Sequence, residues 1–158
     1  MKAEISIRDY QPEDVQALAN IYYNTIHRIN IQHYTKEQVD VWAPLSSLET
    51  EGWAKKFPRT KPIIATVGND IVGFAEFESN GHIDCFFCHH EWVGKGVGSA
   101  LMKEILRRAK NNHIHHIFSE VSITARQFFE KHGFKVVARH TTVRNDIERT
   151  GFKMERTI

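Results

Sequence analysis

The stretch from Ile83 to Ala109 constrains this chain more than any other. Ile83, Asp84, Cys85, Phe86, Phe87 and Cys88 read as a strand, and Gly94, Lys95, Gly96, Val97 and Gly98 form a loop. Val97, Leu101, Ile105, Leu106 and Ala109 then recur at the spacing of one helix face. A strand that runs through glycines into a helix presents unpaired backbone N–H groups at the positive end of the helix dipole, which suits phosphate oxygens. A tight turn would account for one glycine pair. Three alternating glycines with Lys95 among them favour a phosphate-bearing ligand.

The rest of the chain frames this unit. Its 158 residues, 41% of them hydrophobic, are enough for one sizeable core, so residues 1–158 are read as a single domain. Ile5 to Arg8 reads as a short strand, and Pro12, Glu13 and Asp14 open a helix carrying Val15, Leu18, Tyr22 and Ile26. Tyr34 to Phe57 is helical but interrupted at Pro44, a pattern suited to a substrate-facing lid. Pro62–Val67, Ile71–Glu78 and His82–Cys88 follow as an antiparallel meander, the last turn carried by Asn80-Gly81. Beyond the long helix come a strand from Ile114 to Val121, a helix from Ser122 to His132, and a hairpin of Lys135–Val143 with Ile147–Met154. The fold class is therefore α/β or α+β, with a mixed, mostly antiparallel sheet of six or seven strands and four or five helices.

Charge and cysteines narrow the function. A formal net charge of +2 creates no field that demands nucleic acid or an anionic membrane as partner. The first residues lack a signal-peptide pattern and no apolar run approaches a membrane span, so a cytoplasmic protein is expected. Cys85 and Cys88 have Cys-x-x-Cys spacing, but on a strand residues three apart face opposite ways, and no second ligand pair accompanies His89 and His90. No metal is expected. A dinucleotide-binding βαβ unit is disfavoured because Ser99 stands where G-x-G-x-x-G needs its third glycine. The Walker A pattern is absent.

Val93, Gly94, Lys95, Gly96, Val97 and Gly98 resemble the pyrophosphate loop Gln/Arg-x-x-Gly-x-Gly/Ala of the GNAT superfamily of acetyl-CoA-dependent N-acetyltransferases, with Val93 departing from the first position. Ser122, Ala125, Phe129, Glu130, Lys131, Gly133 and Phe134 are similar to that family's Asn-x-x-Ala-x-x-x-Tyr-Glu-Lys-x-Gly-Phe segment, and the order of elements also agrees. The resemblance implies acetyl-CoA as co-substrate, wedged between two splayed parallel strands. Phe86, Phe87, Cys88, the loop from Val93 through Gly98, Ser99, Ser122 and Phe129 would contact it. An amide at Phe87 or Cys88 would polarise the thioester carbonyl.

The implied reaction is direct attack by a primary amine of a small molecule or peptide in a ternary complex. Such an amine has a pKa near about 10, so a base must assist. His82, Asp84 and Glu76 are the candidates, with a solvated surface role as the competing account of His82 and Glu76. The family's usual tyrosine acid falls at Phe129, which cannot donate a proton. Water, Ser122 or Tyr34 would replace it. Tyr34, Trp42 and Glu120 are candidates for acceptor binding, with Trp53 and His33 beside them. A non-catalytic acyl-CoA-binding module is the alternative, and a Cys/His metal or redox protein a more distant one. A monomer or homodimer is expected.

Overall fold

Apolar residues on both faces of Ile63–Val67 and Asp70–Phe77 require cover on both sides, and the chain supplies it with helices on either side of one sheet. The computed structural model describes residues 4–158. Its strands are Ser6–Asp9 (β1), Ile63–Val67 (β2), Asp70–Phe77 (β3), His82–Cys88 (β4), His116–Ser122 (β5), Lys135–Arg144 (β6) and Ile147–Thr157 (β7). The helices are Val15–Arg28 (α1), Lys36–Trp42 (α2), Glu51–Thr60 (α3), Val97–Asn111 (α4) and Arg126–Lys131 (α5). Strand order is β1-β2-β3-β4-β5-β7-β6, and every pairing is antiparallel except β4 with β5. The seven strands and five helices match the architecture expected from sequence.

Two apolar layers hold these elements. α4 lays Leu101, Met102, Ile105 and Ala109 against Ile63, Val72, Ile83 and Ile117. On the other face α1 and α3 bury Leu18, Ile21 and Phe57 against Ile64 and Phe74. Each fully buried Leu, Ile or Phe contributes about 1.5–3 kcal/mol. A smaller cluster of Ile26, Tyr34, Val39 and Ala43 docks α2 onto α1, and Thr35 caps α2 by accepting from the Gln38 amide. The stretch between Tyr34 and Phe57 is interrupted helix as expected, α2 and α3 being separated by a 3-10 turn at Leu45–Leu48.

Several boundaries differ from expectation: β5 starts at His116 instead of Ile114, and β7 runs past Met154 to Thr157. Pro12–Asp14 forms a single 3-10 turn before α1, with Asp14 tied to Arg8 and to the Gln11 amide. The helix expected from Ser122 begins at Arg126, because Ser122 belongs to β5 and its hydroxyl accepts from the Ala125 amide, forming a turn first. No helix among the described residues is long and apolar enough to cross a membrane.

Candidate active site

β4 and β5 pair only at His82 with Phe118 and at Ile83 with Ser119, then diverge. The cause is visible on the other edge of β4. Ala75 pairs with Phe86 and Phe77 with Ile83, so Glu76 stands opposite both Asp84 and Cys85, a bulge that bends β4 away from β5. Past the bulge, the His89 amide donates to the Val72 carbonyl at 2.8 Å. Ladder alternation therefore directs the Phe87 amide toward β3 and the Phe86 and Cys88 amides into the gap. The Cys88 carbonyl accepts the Thr25 hydroxyl there at 2.7 Å, which anchors α1 beside the opening.

The chain then enters the glycine loop. Gly94 and Gly96 hold φ of 76° and 92°, the left-handed region that favours glycine, and Gly96 precedes α4 with no side chain capping the first amides. Gly98 is crowded for a different reason: a Cβ there would lie 2.8 Å from the Phe128 ring. The loop thus bares main-chain donors beside the gap. Val93, Gly94, Gly96, Gly98 and Ser99 all line it.

The gap is part of a cavity of about 730 Å³ that passes from the α4 end to the α2, α3 and β6–β7 end. At the second end the wall carries Lys56, Asp84 and Glu120. Lys56 Nζ bonds Glu76 at 2.9 Å and Asp84 at 3.0 Å, and lies 3.9 Å from the Cys85 sulfur. Burial opposes the Lys56 charge, but the negative groups around it prevail and raise its pKa, so it stays an ammonium. Donor atoms of Glu76, Asp84 and Cys85 lie within 4.8 Å of one another, yet Lys56 already supplies the positive charge among them. His82 Nε2 meets Glu120 Oε1 at 2.8 Å, while its Nδ1 meets Glu78. Burial would lower the imidazole pKa; hydrogen bonds to the two carboxylates outweigh it and raise the value.

Cys85 and Cys88 face opposite layers, Cys85 toward Leu18 and Phe57, Cys88 toward the α4 side. Burial pushes the Cys85 thiol well above its ordinary range and raises Cys88 to about 11. Both are neutral thiols at pH 7, unlike the thiolate of a redox motif.

A family model described as an acetyltransferase (GNAT) domain matches residues 30–156. The chain is also 32% identical over 133 residues to the protein named "Uncharacterized N-acetyltransferase YafP" of Escherichia coli (strain K12), covering 84% of this chain and 83% of that protein. The chain belongs to the GNAT acetyltransferases. Among solved GNAT structures, a GCN5-related N-acetyltransferase from Rhodopseudomonas palustris, described as "Aminotransferase, Class-II", superposes with a TM-score of 0.92 at 26% identity, covering 100% of this chain and 99% of that one. The PaiA N-acetyltransferase of Thermoplasma acidophilum, in complex with coenzyme A, superposes at 0.78 with 20% identity over 98% and 99% of the two chains.

In this GNAT chain the expected residues fall into three groups. Phe86, Phe87, Cys88, Ser122, Phe129, Tyr34, Trp42, Asp84 and Glu120 line the cavity with most of the loop. Lys95 instead lays its ammonium over the Trp92 ring at 5.2 Å, and Val97 turns its side chain into the core. His82 and Glu76 stand behind the cavity wall: His82 against Glu120, Glu76 against Lys56. Neither is the solvated strand residue that was the competing account, for the Glu76 side chain is 0% exposed and that of His82 only 16%. Phe129, 2% exposed, packs on Phe86 and Phe134. Tyr34 is fixed, its hydroxyl donating to the Thr150 carbonyl and accepting from the Ile123 amide. Ser122 accepts from both Asn30 and Ala125, which leaves its own hydrogen free.

Sequence reasoning missed Lys56, His132, His140, Arg144 and Arg149, all of which line the cavity. A period-2 pattern of polar residues along His140, Thr142 and Arg144 was the available signal, and it pointed equally well to solvent.

Proposed function

We propose that this GNAT protein transfers an acetyl group from acetyl-CoA to a primary amine by direct attack in a ternary complex. The observation that carries the reading is the free edge of β4 leading into the bare amides of the glycine loop and α4. These residues fit the co-substrate: Gly94, Gly96 and the first α4 amides would hold the pyrophosphate, and the Phe86 and Cys88 amides the pantetheine arm. The coenzyme A bound in the PaiA structure supports the assignment by fold.

Acetyl-CoA supplies the acyl group as an activated thioester. The Cys88 N–H would donate to the thioester carbonyl oxygen as negative charge develops there. Glu120, at the cavity wall, would take the proton from the amine as its nitrogen bonds to the carbonyl carbon, with His82 behind it as the group that bears the proton onward. Asp84, hydrogen-bonded to Lys56, would draw the amine in, and Glu76 braces Lys56. The C–S bond breaks, and the Ser122 hydroxyl or water protonates the leaving thiolate. The Phe129 side chain takes no part in that transfer. The protein works in the cytoplasm in this reading.

Acetyl-CoA with a panel of amines, amino acids, aminoglycosides and peptides should release free thiol. Glu120→Gln should lower kcat about 10²–10⁴-fold and leave acetyl-CoA affinity intact. Gly96→Val should weaken acetyl-CoA binding. The apolar Phe129 favours one second reading, a non-catalytic acyl-CoA-binding module. That reading prevails if acetyl-CoA binds and no amine releases thiol.

A further inference from the structure

The β6–β7 hairpin carries charge that acetyl transfer leaves unused. Its register pairs Thr142 with Arg149 and Arg144 with Ile147, which makes Arg144 and Arg149 diagonal neighbours on one face. Both line the cavity. The half-buried Arg149 guanidinium lies 3.9 Å from the centre of the Trp42 ring of α2, a stacking contact that fixes its plane. Among the described residues neither guanidinium has a carboxylate partner, whereas Lys56, also on the cavity wall, is already neutralised by Glu76 and Asp84. Burial, with Arg144 adding to it, lowers the Arg149 pKa from its ordinary value, the mark of a cation held without a counter-ion.

Two guanidinium groups on one face of a hairpin, the exposed Arg144 beside Arg149, repel each other without an anion and retain unused donors in a planar fork. A bound oxyanion removes both penalties. Of the acidic groups of the same cavity, Asp84 on β4 is paired with Lys56 and Glu120 sits on β5, so the cavity sets the unpaired positive charge of the hairpin apart from the Glu120 carboxylate. A ligand matching that polarity has an amine at one end and an anion at the other.

We propose that the acceptor is an amine that also carries an oxyanion, in its smallest form an amino-acid carboxylate, held by Arg149 and Arg144 while its amino group faces Glu120. The inference rests on the acetyl-transfer reading above and supplies the acceptor class that reading leaves open. Thr142, directly across the hairpin from Arg149, offers a further hydroxyl donor to the same anion. A carboxylate and a phosphoryl group share the required chemistry, and matched acceptors separate them.

The test measures thiol release from acetyl-CoA with amino acids against their α-carboxamides, phosphoethanolamine against ethanolamine, and spermidine as a purely cationic amine. At least one oxyanion-bearing acceptor should show kcat/KM tenfold or more above its uncharged partner. Arg149→Gln should abolish that preference through a raised KM, with kcat within about threefold and acetyl-CoA affinity unchanged; Arg144→Gln should reduce it in the same direction. Arg139→Gln, on exposed β6 outside the cavity, should leave the preference intact. Equal use of the matched partners, a preference for spermidine, or a preference that survives Arg149→Gln would overturn the proposal. If no amine releases thiol, acetyl transfer fails, and titration of the same pairs into CoA-saturated protein reads the oxyanion site alone. Equal binding of charged and uncharged partners there overturns it, and tighter binding of the charged partner supports it.

Discussion

Lys56 Nζ lies 2.9 Å from Oε1 of Glu76, whose side chain is wholly buried and whose second oxygen has no partner among the described residues. Removing one member of such a pair leaves an uncompensated charge in a poorly solvated place. Lys56→Met should therefore destabilise the fold by about 3–5 kcal/mol in urea unfolding. The double variant Lys56→Met with Glu76→Gln should recover more than half of that loss, because no buried charge remains. Equal instability of the single and double variants would show that the charge is not the cause.

His82, between Glu78 and Glu120, gives two pH dependences of opposite sense. Its pKa is raised by folding, so its ion pairs stabilise fully below about pH 6.5, the unfolded value, and that contribution is lost as pH rises through the folded value. The stability difference between the natural protein and His82→Gln should thus be larger at pH 6 than at pH 9. Activity should run the other way, since His82 must be neutral to accept a proton through Glu120. The pH profile of kcat/KM should rise through the raised His82 value, and His82→Gln should remove that limb. A profile left unchanged by the substitution would take His82 out of the relay.

Gly94 separates a conformational effect from a steric one. A Cβ built there meets no atom within 4 Å, so Gly94→Ala should weaken folding only through its φ of 76°, by about 1–2 kcal/mol. The same methyl would stand at the mouth of the cavity, and the acetyl-CoA Kd should rise about tenfold, or 1.4 kcal/mol. Unchanged affinity would show that the loop serves only to turn the chain.

The cysteines should be chemically quiet. With Cys88 raised to about 11 and Cys85 higher than usual, alkylation of the folded protein at pH 7 should be far slower than in denaturant, and oxidation should yield no Cys85–Cys88 disulfide. A reversible intramolecular disulfide found by mass analysis would contradict the placement of the two thiols on opposite faces.

What the sequence showed depended on the range of the forces involved. The Asn80-Gly81 turn, the glycines at 94 and 96, and the apolar stripe from Val97 to Ala109 are local signals, and the elements they mark stand as expected. The bulge opposite Glu76 was invisible, because Ile83 to Cys88 reads as an unbroken strand and the irregularity exists only in its register with β3. The Lys56 cluster joins residues 20 and 28 positions apart, and no periodicity announces it. Ser122 illustrates a subtler loss. It can begin a helix or end a strand, and the antiparallel pairing of Ser122 with Gly151 decides for the strand. Arg149 carries no local sign of its place, and only the docking of Trp42 against it makes it part of the cavity wall.

The divergence of β4 from β5 bears on the mechanics of the whole molecule. Within the sheet only two residue pairs join β1 to β4 with β5 to β7, and the rest of that seam is bridged by side chains such as His82 with Glu120 and Ser119 with the Ile83 carbonyl. A partner that laid its own amides along the open edge of β4 would act as a splint across that seam. Occupancy would then stiffen regions remote from the contact itself, and the rigidity of the acceptor end would be set by whether the donor end is filled. Order of binding would follow from the architecture, with the splint in place before the second guest finds a wall firm enough to hold it.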